Sequence, residues 1–260
     1  MFLRADRAAA RVTAEHGQAG AVAPVAVVTG GARRLGRHLG LMLVRRGYRL
    51  VCLYRSSRAD VASLEAEVKA LGGHIRALAL DIADRDAVAR AFAEVAGVEG
   101  RVDVLINNVG NYNPQPIQAL DPEAWDATLG ANLSGAYYAA YHALRLMPDG
   151  GSIVNIGMAG LEGTRASRLA VDYYVSKTGL LSLTRSLALA CGPRGIRVNM
   201  VSPGQLDNSV DLPGPEQLKR EIPIGRAGTM ADMEGAVAYL LDAPYVTGVN
   251  LDVAGGYRLG

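Results

Sequence analysis

The sequence predicts a single-domain, doubly wound α/β fold built on a mainly parallel seven-stranded sheet. Three observations carry that expectation. Short apolar runs alternate with amphipathic stretches along the chain; the runs are apolar throughout rather than half polar; and no linker or internal repeat divides the 260 residues. Strands that are apolar on both sides need cover on both faces, which a parallel sheet with helical crossovers supplies.

Each element follows from its local pattern. Residues 1–24 are Ala/Arg-rich and end at Pro24; they are expected to form a flexible arm, or one that touches another subunit, or to reflect a misplaced start codon. Val25–Val28 is a β-branched run that stops at Thr29-Gly30-Gly31. Leu35, Leu39, Met42 and Leu43 then recur at helical spacing as far as Gly47. Tyr48–Leu53 predicts the second strand. A polar turn, Arg55–Arg58, leads into a helix through Leu64, Val68 and Leu71, which Gly72-Gly73 breaks. His74–Leu80 predicts a third strand, Asp84–Val95 a helix and Val102–Ile106 a fourth strand. After the Asn- and Pro-rich loop Asn107–Pro116, Pro122–Leu146 predicts one long helix. Ser152–Ile156 is the fifth strand, Val171–Ala190 a long helix and Arg197–Val201 the sixth strand. The loop Gln205–Pro215 and a short helix Glu216–Glu221 precede a helix near Met230–Leu241 and a last strand near Val249–Val253. Strand and helix in strict alternation make this a Rossmann-type domain over residues 25–260.

Composition narrows the function. With 27 Lys+Arg against 25 Asp+Glu the formal charge is only +2, too little for a protein whose main work is neutralising a nucleic-acid backbone. Half of the residues are hydrophobic, and no apolar run approaches the roughly 18–20 residues that span a bilayer. Cys52 and Cys191 cannot make a disulfide framework, and no Cys/His spacing suggests a metal site; both read as packed thiols. The expectation is a cytoplasmic protein acting on a small molecule.

The segment Thr29–Gly36 sits between the first strand and the first helix, where backbone N–H groups and the helix dipole favour an anion. Gly30, Arg33, Arg34, Leu35 and Gly36 are therefore candidates for a pyrophosphate site. At the end of the second strand an NAD-binding chain would carry Asp or Glu for the ribose 2′-hydroxyl. Here the sequence is Tyr54-Arg55-Ser56-Ser57, whose guanidinium and hydroxyls suit a 2′-phosphate. NADP(H) is thus expected over NAD(H), with a solvated basic loop as the alternative.

Tyr173 and Lys177 lie one helical turn apart. With Thr29–Gly36, Asn107-Asn108-Val109-Gly110, Asn132 within Gly130–Leu133, and Ser202-Pro203-Gly204, the chain resembles the short-chain dehydrogenase/reductase family from about residue 24 to its end. Arg34 in the glycine loop, the Val51–Ser56 strand end and Gly255–Leu259 look most like the pteridine reductases of that family. The resemblance implies Tyr173 as the proton donor, Lys177 as the partner that lowers its pKa and holds the nicotinamide ribose, and Asn132 as the anchor of a proton relay. It implies that Asp81-Ile82 meet the adenine and that Asn108-Val109-Gly110 and Pro203-Gly204 line the cofactor. It also implies assembly into a homo-oligomer, a tetramer or dimer, through the two long helices.

One position departs from the family. Where most members carry a Ser, and pteridine reductases an Asp, the chain after the fifth strand has Met158, with two extra residues in the loop before Tyr173. A thioether donates no hydrogen bond to the oxygen of a reacting ketone. A protonated C=N needs no such donor, because hydride attack discharges a cation. The expected reaction is therefore NADPH-dependent reduction of C=N in a pterin-like or other cyclic imine, with Arg34, Tyr112, Met158 and Asp211 facing the substrate. The alternatives are carbonyl reduction, with Thr164, Ser167 or Asp172 filling the vacated slot, and a non-catalytic NADPH-binding scaffold.

Overall fold

The computed structural model describes residues 23–162, 166–209 and 212–257. Residues 1–22 of the proposed arm, Thr164 and Asp211 lie outside them. Seven strands, β1 (Val25–Thr29), β2 (Arg49–Tyr54), β3 (Ile75–Ala79), β4 (Val104–Asn107), β5 (Ser152–Ile156), β6 (Arg197–Pro203) and β7 (Asn250–Val253), form one sheet in the order β3-β2-β1-β4-β5-β6-β7. Every neighbouring pair is parallel.

The strands bury both faces, and alternate residues feed two separate cores. Ala26, Val28, Leu50, Cys52, Ile106 and Val154 pack with helices α1 (Arg34–Arg45), α2 (Arg58–Ala70) and α8 (Met230–Asp242). Val25, Val27, Val51, Leu105, Ile153 and Val198 pack on the other side with α3 (Arg85–Val98), α5 (Gly135–Leu146) and α6 (Val171–Cys191). This is why the strands read as unbroken apolar runs. Both cysteines are buried thiols.

Local chemistry sets the helix starts. Asp84 caps α3 by accepting from the N–H groups of Asp86 and Ala87, and Thr229 and Asp232 form a reciprocal capping box on α8. Asp121 caps α4 (Pro122–Leu129), and α7 (Pro215–Glu221) is a short helix beyond the cleft. Among the described residues no helix is long and apolar enough to cross a membrane.

The expected single helix Pro122–Leu146 is corrected. A π-helical turn, Gly130–Ser134, separates α4 from α5. Its flanking residues keep helical dihedrals, so one extra residue per turn leaves little trace in hydrophobic spacing. Most other boundaries move by one or two residues; α3 runs on to Val98.

Candidate active site

Strand order reverses between β1 and β4, and a cleft of about 810 Å³ opens there at the carboxyl ends of the strands. Cross-ties between the two strand ends shape its floor. The Thr29 hydroxyl accepts from the N–H groups of Asn108 (2.9 Å) and Val109 (3.2 Å), and the Asn108 amide donates to the carbonyls of Thr29 and Gly30. Gly36 does not line the cleft but permits the glycine loop: a Cβ there would stand 2.3 Å from the Gly30 carbonyl oxygen. Arg34, where a glycine would be at ease, holds φ +48°, a left-handed conformation costing about 1–2 kcal/mol in a residue with a Cβ. Ala170, at φ +58°, is the second such residue and immediately precedes α6. Arg34 lines the cleft and Ala170 a smaller cavity next to it, as strain near working sites does.

Gly30, Arg33, Arg34 and Leu35 line one end of the cleft, with Tyr54, Arg55, Ser56 and Ser57. Arg55 lies 3.8 Å from Asp81 and Arg33 3.6 Å from Asp60, all of them side chains exposed to solvent. Asp81 and Ile82 sit beside this group, and Asn108, Val109, Gly110, Pro203 and Gly204 line the remaining length. The residues present fit a dinucleotide: a crowded glycine loop at a helix start, a basic hydroxyl-rich pocket at the end of β2, and a mixed polar and apolar wall along the rest.

At the far end stand Tyr173, Lys177, Met158 and Tyr112. Lys177 is 1% exposed, donates to the Ile156 carbonyl at 2.8 Å, and stands 5.6 Å from the centre of the Tyr173 ring. Burial pulls its ammonium down from 10.5 to about 8. The Tyr112 ring meets that of Tyr173 edge-on, centroids 5.0 Å apart at 69°. A smaller cavity of about 310 Å³ opens beyond, and Tyr112, Met158 and Tyr173 form the wall it shares with the main cleft.

Asn132 does not line the cleft. It is buried in the π turn, where its carbonyl oxygen accepts from Asn111 N–H (2.6 Å) while its amide donates to the Asn111 carbonyl (3.0 Å) and to Ser176 Oγ (3.1 Å). Ser176 in turn donates to the Tyr173 carbonyl at 2.7 Å. One side chain thus ties the loop carrying Tyr112 to the helix carrying Tyr173. Sequence reasoning missed Asn111 and Ser176, because only the three-dimensional approach of α6 to the π turn brings them together. Gln205, Asn208 and Ser209 of the loop after β6 line the cleft, and so does Tyr257, which sequence reasoning did not place there. Asn155 accepts from the Asn107 amide at 2.9 Å and donates to Thr184 at 2.8 Å inside the core.

Of the donors expected to fill the slot near Met158, Ser167 lines only the smaller cavity and donates to the Leu169 carbonyl. Asp172 is buried and lines neither cavity, and one of its carboxylate oxygens has no hydrogen-bond partner among the described residues. Tyr174, next to Tyr173 on α6, is half-buried and lines the smaller cavity. Among the described residues no group of three or more His, Cys, Asp or Glu could hold a metal ion.

A cleft at the strand-order reversal of a parallel sheet, with a tyrosine beside a buried lysine on its wall, is the arrangement expected of a Rossmann-fold oxidoreductase. Comparison with known proteins gives the family. A profile described as enoyl-(acyl carrier protein) reductase matches residues 30–258. The human 3-oxoacyl-(acyl-carrier-protein) reductase is 36% identical over 90% of this chain and 98% of its own length. The L-rhamnose 1-dehydrogenase (NAD(P)(+)) of Azotobacter vinelandii is 35% identical over 88% and 94%. A blue fluorescent protein from a metagenomic library, solved in complex with NADPH, superposes with a TM-score of 0.84 at 33% identity, covering 90% of this chain and 98% of that one. The chain belongs to the short-chain dehydrogenase/reductase family and is an oxidoreductase of that type.

Proposed function

We propose that the protein is an NADPH-dependent reductase that converts a carbonyl of a small organic substrate into an alcohol, with Tyr173 as proton donor. The observation that carries this reading is the buried Lys177 ammonium, anchored to the end of β5 and set beside the Tyr173 ring on the wall of the cleft. Two named relatives, the 3-oxoacyl and L-rhamnose enzymes, handle carbonyls or the matching alcohols. That favours C=O over the C=N expected from the sequence.

The roles follow from charge and position. NADPH, when bound, supplies the hydride to the carbonyl carbon. Tyr173 gives its proton to the oxygen as the C=O pair moves there, and the neighbouring ammonium of Lys177 stabilises the phenolate left behind. Arg55, Ser56, Ser57 and Arg33 would hold the 2′-phosphate. The exposed Arg55–Asp81 contact opposes this little, since such pairs are worth at most about 1 kcal/mol. The oligomer expected from the sequence has support in exposed Tyr137, Tyr141, Val175 and Leu189 on α5 and α6.

Met158 favours a second reading, reduction of a pterin-like or other cyclic C=N bond, which needs no donor in that slot. A panel of ketones, 3-oxoacyl thioesters, sugar lactones, dihydropterins and cyclic imines with NADPH decides between the two. Carbonyl turnover that Tyr173→Phe lowers by about 10²–10⁴-fold, with NADPH binding intact, is the expected result. Turnover confined to the C=N compounds sinks the carbonyl reading, and NADPH binding without consumption of any substrate leaves only a scaffold.

A further inference from the structure

The geometry points to Tyr112 as a second catalytic residue, its hydroxyl donating to the substrate oxygen in place of the side chain that Met158 cannot supply. This inference rests on the carbonyl reading above. In hydride transfer to a carbonyl the oxygen gains negative charge as the π pair moves onto it. It takes one proton from Tyr173 to become the alcohol, and a second donor that keeps its own proton lowers the barrier. Met158 offers no donor.

Three residues form the wall common to both cavities, Tyr112, Met158 and Tyr173, and the only hydroxyls among them are the two phenols. The rings already meet edge-on at 5.0 Å between centroids. The two phenol-bearing side chains thus stand side by side on one wall, and the second hydroxyl is assigned to a substrate oxygen placed against Tyr173.

The loop is built to hold that phenol still. On its N-terminal side, Asn111 is gripped through both its N–H and its carbonyl by Asn132. On its C-terminal side, the Gln115 carbonyl accepts from Ala170 N–H at 3.1 Å, and Pro116 forms an isolated antiparallel bridge with Leu169. Both anchors end on the π turn or on the start of α6, the elements that also fix Tyr173. The left-handed Ala170 is a strained residue kept where it serves the second anchor. Donors fixed before the reaction are the ones that count in catalysis, because they need no reorganisation as charge develops.

The test is Tyr112→Phe, which keeps the ring and removes the hydroxyl, combined with Met158→Ser, which returns a hydroxyl to the slot. For a carbonyl substrate Tyr112→Phe is expected to lower kcat by about 10²–10³-fold. The NADPH dissociation constant, read by fluorescence, and the melting temperature of the cofactor-free protein should stay unchanged. Met158→Ser in that background is expected to recover at least about tenfold, as one donor replaces another. Tyr112→Phe with wild-type turnover overturns the inference and leaves the carbonyl reading standing. A loss that Met158→Ser does not relieve, or one accompanied by weaker NADPH binding, gives Tyr112 a packing role and also overturns it. A wild type inert toward every carbonyl overturns both.

Discussion

Lys177 shows how one buried side chain links stability to chemistry. It is among the largest fully buried side chains, and burial lowers its pKa from 10.5 to about 8. The folded protein thus releases this proton before the unfolded chain does, so the unfolded state binds more protons between about pH 8 and 10.5. Below about pH 8 the charged form persists and its burial opposes folding in full; the penalty fades as pH climbs through that window. Lys177→Met in the cofactor-free protein removes the effect. The stability difference, variant minus wild type, is expected to fall as pH rises from about 8 to 10, followed by paired urea titrations. The slope is diagnostic, because the lost bond to the Ile156 carbonyl shifts every point alike. A difference that grows with pH would refute the assignment. The same deprotonation removes the positive charge beside Tyr173, so reductive turnover should decline over that range.

At the scale of the element, the π turn between α4 and α5 does what a regular helix cannot. By inserting a residue it turns Asn132 inward, where three hydrogen bonds reach Asn111 and Ser176. Asn132→Ala leaves the Asn111 N–H and carbonyl and the Ser176 hydroxyl short of a partner. Each buried polar group left unsatisfied costs about 1–3 kcal/mol, partly recovered by water at the cleft edge. A net loss of about 2–4 kcal/mol in urea unfolding is expected, together with a lower kcat as both tyrosine-bearing segments loosen. Unchanged stability and turnover would remove Asn132 from the clamp. Asn132 was singled out from the sequence by resemblance alone; its spacing within Gly130–Leu133 contains nothing that predicts a widened turn.

Across the whole molecule, the two ends of the sheet do different work. The carboxyl ends of the strands carry the cleft. At the opposite end the fully buried carboxylate of Glu99, just past α3, pairs with Arg49 at the start of β2 and with Arg76 on β3 (3.1 Å), with His74 at 3.8 Å. The cations around Glu99 are partly exposed and water can solvate them once the carboxylate is gone, so Glu99→Ala is expected to cost about 1–3 kcal/mol. Because the cluster lies away from the cleft, the NADPH dissociation constant at 20 °C should match wild type. Calorimetric unfolding and fluorescence binding on the same sample read both quantities, and a large change in NADPH affinity would show that the two ends are coupled.

The sequence by itself determined the sheet-and-helix alternation, the glycine loop, the basic pocket after β2 and the Tyr173–Lys177 pair. Those are local facts: periodicity, turn chemistry and helical spacing act between near neighbours. Only the tertiary structure decided how Asn111, Ser176 and Ala170 fix the segments that carry the two tyrosines, how Gly36 crowds Gly30, and that Tyr112, Met158 and Tyr173 share one wall. Each of those contacts joins segments far apart in sequence through packing of α6, the π turn and the β4–α4 loop, and no local pattern encodes which distant side chains a folded chain will bring within hydrogen-bond reach.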